Sequence, residues 1–231
     1  MQEHIWEKEY RNPTLISLSN EPIKCLKDFV RFIKKDQKVE LSGKNILDLG
    51  CGNGKNSIYI AEQGEGNTIH GIDISQTAIN LAKQVYPAGD FQVGNIGSTF
   101  PYSDNSFDIV LDITSSNSLT EKERSTYLTE ISRTLKPSGH FYLRTLCKDG
   151  DTNAKNLLIS NPGKEKDTYI MPELGLTERV FSKEDLIATY SPFFELLYLD
   201  KEIHYTKFNN RSYKRNFWVG GWRKGLDKDI V

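Results

Sequence analysis

From Asn45 onward the chain alternates short apolar runs with longer segments of helical period, and that alternation narrows the fold more than any other feature. ILDL at 46–49, TIHGI at 68–72, FQV at 91–93, FDIVL at 107–111 and HFYLRTL at 140–146 have the length of strands. Between them the spacing predicts a helix from about Lys55 to Gln63 and a second one capped by Ser75, with Ala78, Leu81, Ala82 and Val85 on one face. A third carries Leu128, Ile131 and Leu135 and opens on a capping box of Thr120 and Glu123. Strands separated by helices imply an α/β fold, a mostly parallel sheet covered on both faces. Ser182 and Asp185 open a further capped helix, and FFELLYL and RNFWVGGW follow with a short polar segment between them. A connection that short predicts an antiparallel hairpin.

Outside this alternation lie two additions. Ile23, Leu26, Phe29, Val30 and Ile33 recur at helical spacing and run into the polar KKDQK, while Asn20, Glu21 and Pro22 suit a helix start. Residues 1–40 are therefore expected to be an only partly packed helical lid. Residues 148–181 are polar and rich in Gly and Pro; loops longer than about 12–15 residues are uncommon and often functional. They are expected to form a substrate-side loop or insertion on one domain spanning 1–231.

Composition excludes several classes. At 37% hydrophobic and 26% charged the 231-residue chain suits a soluble globular protein, and a net charge of −1 exerts no global pull on nucleic acid or anionic lipid. No apolar run approaches the roughly 20 residues of a membrane helix, and the charged start MQEHIWEKEYRNP lacks a signal-peptide core. Three widely spaced cysteines without a C-x-x-C pair point to the reducing cytoplasm and to no metal site.

The chemistry concentrates in NILDLGCGNG at 45–54. Gly50, Gly52 and Gly54 fall between the first strand and the first helix, at the carboxyl edge where open α/β sheets bind ligands. Asp73 ends the neighbouring strand, where a carboxylate can accept both hydroxyls of a ribose. A tight turn without a ligand, with Asp73 as a helix cap, is the bland alternative. The third glycine of the nicotinamide fingerprint is replaced by Lys55, and no phosphate loop is present. Asp48 would put negative charge where a pyrophosphate would lie, so a cationic ligand fits better.

These residues resemble the first motif of class I S-adenosylmethionine-dependent methyltransferases. The resemblance continues through GIDIS, FQVGN, FPYSDNSFDIVLD and LKPSGHFYL, from about Asn45 to Thr145. It implies a Rossmann-like seven-stranded sheet of order 3-2-1-4-5-7-6 with strand seven antiparallel, and S-adenosylmethionine as cofactor. Gly50, Cys51 and Gly52 would offer backbone to the cofactor's amino-acid part, and Asp48 would order that loop or its ammonium. Asp73 would hold the ribose and Ile74 pack beside the adenine. Asn95 would accept from the adenine amine, assisted by the Ile96 amide, and Asp112 would face the methyl. The family usually has Asp at the position of Asn95.

Transfer by in-line displacement onto a small molecule is the expected function; an RNA methyltransferase and a non-catalytic S-adenosylmethionine-binding protein are the alternatives. Candidates for acid–base work or acceptor contact are His4, Tyr10 and His204, while His70 and His140 read as structural. The basic, aromatic segment HYTKFNNRSYKRNFWVGGWRK is what an RNA surface would use, or an ordinary hairpin. No proline follows Asp112 as in amine methylation of bases, and Cys147 does not match a cytosine-methylating cysteine.

Overall fold

The computed structural model describes residues 2–226 except 15, 17, 173, 209 and 210; across 206–208 and 211–213 it describes the backbone alone. The chain order is α1 (Glu3–Arg11), α2 (Lys24–Lys35), β1 (Asn45–Leu49), α3 (Lys55–Ala61), β2 (Thr68–Asp73), α4 (Gln76–Val85), β3 (Asp90–Val93) and β4 (Phe107–Ile113). After a short 3-10 turn at Ser116–Ser118 come α5 (Glu121–Thr134), β5 (Leu135–Leu146), α6 (Thr152–Ser160), β6 (Thr168–Met171), β7 (Leu176–Arg179), α7 (Lys183–Tyr190), β8 (Glu195–Phe208) and β9 (Arg211–Arg223).

The main sheet runs β3-β2-β1-β4-β5-β9-β8. β1 to β5 pair in parallel, and β9 enters antiparallel between β5 and β8. With β8 and β9 counted as strands six and seven, this is the expected Rossmann-like order. The period of two along each strand sorts its side chains into two cores. Leu47, Leu49, Val110, Phe141 and Leu143 pack on one face with Tyr127, Leu128 and Ile131 of α5 and Leu186 and Tyr190 of α7. Ile46, Ile109, Leu111 and Tyr142 pack on the other with α2, α3 and α4.

Two expectations are corrected. α2 is not partly packed: Leu26, Phe29, Val30 and Ile33 are buried, and the helix starts at Lys24 rather than near Pro22. Truncating Phe29 to alanine would cost about 3–5 kcal/mol, the loss of a core aromatic. Nor is 148–181 a structureless loop. It holds α6 and the antiparallel hairpin β6–β7, whose strands of four residues are too short for their alternation to stand out in sequence. Asp151 stitches it to the sheet, capping α6 through the Ala154 amide and accepting the Asn216 amide of β9 at 2.7 Å.

The capping box of α5 forms as expected, and Ser75 and Ser182 cap α4 and α7. Among the described residues no helix is long and apolar enough to cross a membrane, and no group of three or more His, Cys, Asp or Glu could hold a metal.

Candidate functional site

The turn after β1 is built of left-handed backbone. Gly50 and Gly52 have φ of +69° and +58°, a region that costs side-chain-bearing residues about 1–3 kcal/mol. Space is short as well: a Cβ on Gly50 would overlap Ser115, and one on Gly52 would stand 2.6 Å from the Tyr10 hydroxyl. The turn spends its amides inside the protein. Gly50 and Cys51 donate to the Ile72 carbonyl at 2.7 and 3.1 Å, and Gly52 donates to Asp73 Oδ2 at 3.0 Å. With these three N–H groups spent, Gly50, Cys51 and Gly52 have none left to wrap an anion as a phosphate loop does, which agrees with the unsuitability of a pyrophosphate here. What these three residues can offer a ligand from the backbone is their carbonyls.

Asp73 closes β2 with a carboxylate that also accepts the Ser75 amide at 2.9 Å. Burial, only partly offset by bonds from the Ser75, Gly52 and Ile74 backbone, pushes its pKa up to about 6. Three backbone amides leave the carboxylate about one of its four lone-pair sites for a ribose hydroxyl.

Strand alternation sends the other two acids elsewhere. Asp48 shares the face of Ile46 and meets α3, where the Ser57 hydroxyl donates to it at 2.5 Å. Burial, with Asp112 and Asp73 nearby and the Ser57 bond opposing, raises Asp48 to about 7. Asp112 shares the face of Val110 and turns toward α5. It accepts from the Tyr127 hydroxyl, the Ser115 amide and hydroxyl and, at 3.4 Å, the Ser116 amide. Neither carboxylate lines the cavity described next, so the structure does not bring Asp112 to the methyl position that the resemblance implied.

A cavity of about 840 Å3 lies along this carboxyl edge, inside the roughly 300–1,000 Å3 of small-molecule sites. Gly50, Cys51, Gly52, Asp73, Ile74, Asn95 and Ile96 all line it, as do Tyr10 and His204. His4 is exposed and does not. Cys51 is buried, and burial beside Asp73 and Asp48 holds its thiol well above the usual range, which suits a turn filler rather than a nucleophile. Tyr10 is raised likewise by burial and the same acids, so it acts as a neutral hydroxyl and not as a base. His140 is buried and lowered to about 4, first by burial and then by Arg223 and Lys44, while His70 meets Asp90 at 3.2 Å; both are framework groups.

Asn95 spends its amide oxygen on the Gly97 amide at 2.8 Å and gives its nitrogen to Glu123 Oε1 at 3.4 Å. Glu123 lines the cavity as well, pressed against the 94–97 turn so closely that a Cβ on Gly97 would stand 2.6 Å from its own Cβ. In sequence Glu123 reads only as half of a capping box; here it also adds a carboxylate to the cavity wall beside Asn95.

Helix α1 roofs the cavity with Trp6 and Tyr10. It is held at its middle by Glu7, which accepts from the Ser75 hydroxyl, the Thr77 amide and the Thr77 hydroxyl at 2.7, 3.1 and 2.7 Å. Burial would raise the Glu7 carboxyl, but these bonds and Arg11 hold it at about 2. Gln2 holds its N-terminal end, donating to the Ser118 and Thr177 carbonyls and accepting the Thr177 amide.

The far end of the cavity is charged and was not anticipated. Arg144 of β5, Glu202 of β8, Arg215 of β9, Glu178 of β7 and Lys55 all line it. The signal available in sequence was Arg144, a lone cation inside the apolar run HFYLRTL. Of the basic, aromatic segment, Lys207, Phe208, Arg211 and Tyr213 lie outside the residues whose side chains are described. Arg215 and Arg223 are in ion pairs, Lys224 donates to Asn105, and Phe217 and Trp218 are buried; Lys214 is exposed.

A family model described as a methyltransferase domain matches residues 40–185, well over half of the chain. The chain belongs to that methyltransferase family. It is 25% identical to an S-adenosylmethionine-dependent methyltransferase of Methanosarcina mazei, with a TM-score of 0.70 over 83% of this chain and 97% of that one. It is 33% identical over 106 residues to a phthiotriol/phenolphthiotriol dimycocerosates methyltransferase of Mycobacterium tuberculosis, which is 45% of this chain and 38% of the relative. A fatty-acid O-methyltransferase of Mycolicibacterium smegmatis is 30% identical over 105 residues, with the same coverage. The chain thus spans well under half the length of these curated relatives.

The residues fit the cofactor of that family. Two glycine positions have no room for a Cβ, a buried carboxylate with a lone pair to spare stands beside them, and the amides of Gly50, Cys51 and Gly52 are already spent inside the protein. Gly50, Gly52, Asp73, Ile74, Asn95 and Ile96 are the groups that would hold it.

Proposed function

We propose that the chain is an S-adenosylmethionine-dependent methyltransferase acting on a small-molecule acceptor. One observation carries this reading: a glycine-floored, acid-walled cleft and a second, charged chamber share one cavity under a common roof, helix α1. The bound cofactor supplies an activated methyl group; the protein's part is placement. Ordering donor and acceptor in line can contribute several kcal/mol through proximity. Asp73 takes the ribose, Ile74 and Ile96 flank the adenine, and Glu123 with Asn95 meets its amine. α1 excludes water as the covering part of an N-terminal lid of residues 1–40. Of the acid–base candidates His204 stands at the wall of the cavity, opposite Arg215 across the β8–β9 pair, and is needed only if the acceptor arrives protonated. The lipids in the relatives' names bring acceptors with apolar bodies within this proposal. An RNA acceptor finds less support, since Arg215 and Arg223 are already paired.

Titration calorimetry with S-adenosylmethionine and S-adenosylhomocysteine tests the cofactor, and Asp73→Ala tests the wall. The variant should remain folded and bind at least tenfold more weakly. Unchanged affinity would remove Asp73 from the site, and absence of binding to the unaltered protein would remove the reading. Transfer of labelled methyl to a metabolite pool separates an enzyme from a sensor.

A further inference from the structure

The charged chamber pairs both of its arginines and leaves its lysine, Lys55, without an ion pair among the described residues. Arg144 donates from Nε to Glu202 Oε2 at 2.7 Å and from Nη1 to the Thr114 hydroxyl at 3.3 Å, with its guanidinium 3.5 Å from the centre of the Phe217 ring. Arg215 gives Nη2 to Glu178 Oε2 at 2.8 Å and to the Tyr169 hydroxyl at 2.7 Å, and Tyr169 also donates to Glu178. Each arginine therefore has one carboxylate partner. Each also has donors left over: Nη2 of Arg144, and Nε and Nη1 of Arg215, have no partner among the described residues. Lys55 is half-buried at the same wall and forms no ion pair among them. Burial and the nearby Arg144 both press against its charge, lowering its pKa.

Of these three cations Lys55 alone has no carboxylate paired with it among the described residues, and it is partly desolvated. A charge removed from water without a partner is costly, and the fork of a guanidinium is shaped for carboxylate or phosphate oxygens. We infer that the chamber between Lys55, Arg144 and Arg215 is an anion subsite that takes a carboxylate or phosphate group of the methyl acceptor. Phe217, Ile113 and Leu146 line the cavity beside it, so the acceptor is an organic acid with an apolar body. This rests on the reading of the neighbouring cleft as a cofactor site. The same chemistry has a second source, the cofactor's own carboxylate, and the two make different predictions.

The test uses the whole chain saturated with S-adenosylhomocysteine, with octanoate, phenyl phosphate and octylamine as probes in calorimetry. Octanoate or phenyl phosphate should bind and octylamine should not. Lys55→Met should weaken the anion at least tenfold and leave S-adenosylhomocysteine affinity within twofold, while Lys55→Arg should restore the anion. If Lys55→Met weakens S-adenosylhomocysteine as strongly as the anion, the subsite belongs to the cofactor and the inference falls. It falls equally if the amine binds in preference to the acids, or if the acids bind both proteins alike. Should S-adenosylhomocysteine fail to bind the unaltered protein, the cofactor reading fails and this inference with it; binding of the nucleoside with no anion preference overturns the inference alone.

Discussion

The two ends of the cavity hold their buried charges in opposite ways. Around the glycine turn, Asp48, Asp73 and Asp112 are satisfied by hydroxyls and amides, and among the described residues no cation pairs with any of them. At the far end Glu178 and Glu202 each have an arginine, and Lys55 forms no ion pair among the described residues. One end thus holds acids without a cation and the other a lysine without an acid. A cationic sulfonium donor and an anionic acceptor would each supply what its own end lacks, and complementary potentials of this kind favour the correct pair and orientation.

The largest effect should come from filling the floor of the acidic end. Gly52→Val puts a β-branched side chain at φ +58° and its Cβ against the Tyr10 hydroxyl. S-adenosylhomocysteine binding should fall more than a hundredfold, with a stability loss of about 1–3 kcal/mol from strain and an unchanged circular dichroism spectrum. Normal affinity in a folded variant would show that the ligand does not approach this turn.

The contrast in charge has a pH signature. Burial raises Asp73 to about 6 and Asp48 to about 7, from ordinary values of 3.8. The folded chain then holds protons that the unfolded chain has released. These groups therefore favour the fold below about pH 4, and that contribution is lost as pH rises through 6 to 7. A cation bound beside the acids offsets the cost of ionising them. S-adenosylmethionine should accordingly gain on the uncharged thioether S-adenosylhomocysteine between pH 5.5 and 8, by roughly tenfold in relative affinity, which is one unit of linked pKa change. Asp48→Asn should flatten both this ratio and the stability profile. A ratio independent of pH would break the comparison at its acidic end.

The acidic end was legible in the sequence because its information is local. Alternate glycines after a strand demand left-handed backbone, and the acid closing the next strand stands beside them by parallel register, with Asp48 opposite Gly71 and Leu49 opposite Ile72. The same rule, taken one step further, would have turned Asp112 inward, since it shares parity with Val110 and so faces α5. The far end had no local pattern to read. Arg144 meets Glu202 across 58 positions and Arg215 meets Glu178 across 37, and only the folded sheet and the β6–β7 hairpin bring them together. The apolar spacing of α2 was visible, but its burial depends on the sheet face it covers. Glu123 was hidden because one carboxylate does two jobs.

The smallest effect tests the roof that both ends share. Glu7 ties α1 to the start of α4 through three bonds, and with its carboxyl held at about 2 the tie is intact at every neutral pH. Glu7→Gln keeps the size but replaces one acceptor by a donor and removes the charge that meets Arg11 at 2.9 Å. Gln2 still holds the N-terminal end of the helix, so the loss should be limited to about 0.5–1.5 kcal/mol. Release of S-adenosylhomocysteine in stopped flow should quicken by roughly threefold to tenfold, the ratio that such an energy sets. Trypsin cleavage after Lys8 and Arg11 should quicken with it. Faster cleavage with unchanged release would mean that α1 moves without covering the ligand, and the two ends would then have no common roof to close over a cation and an anion together.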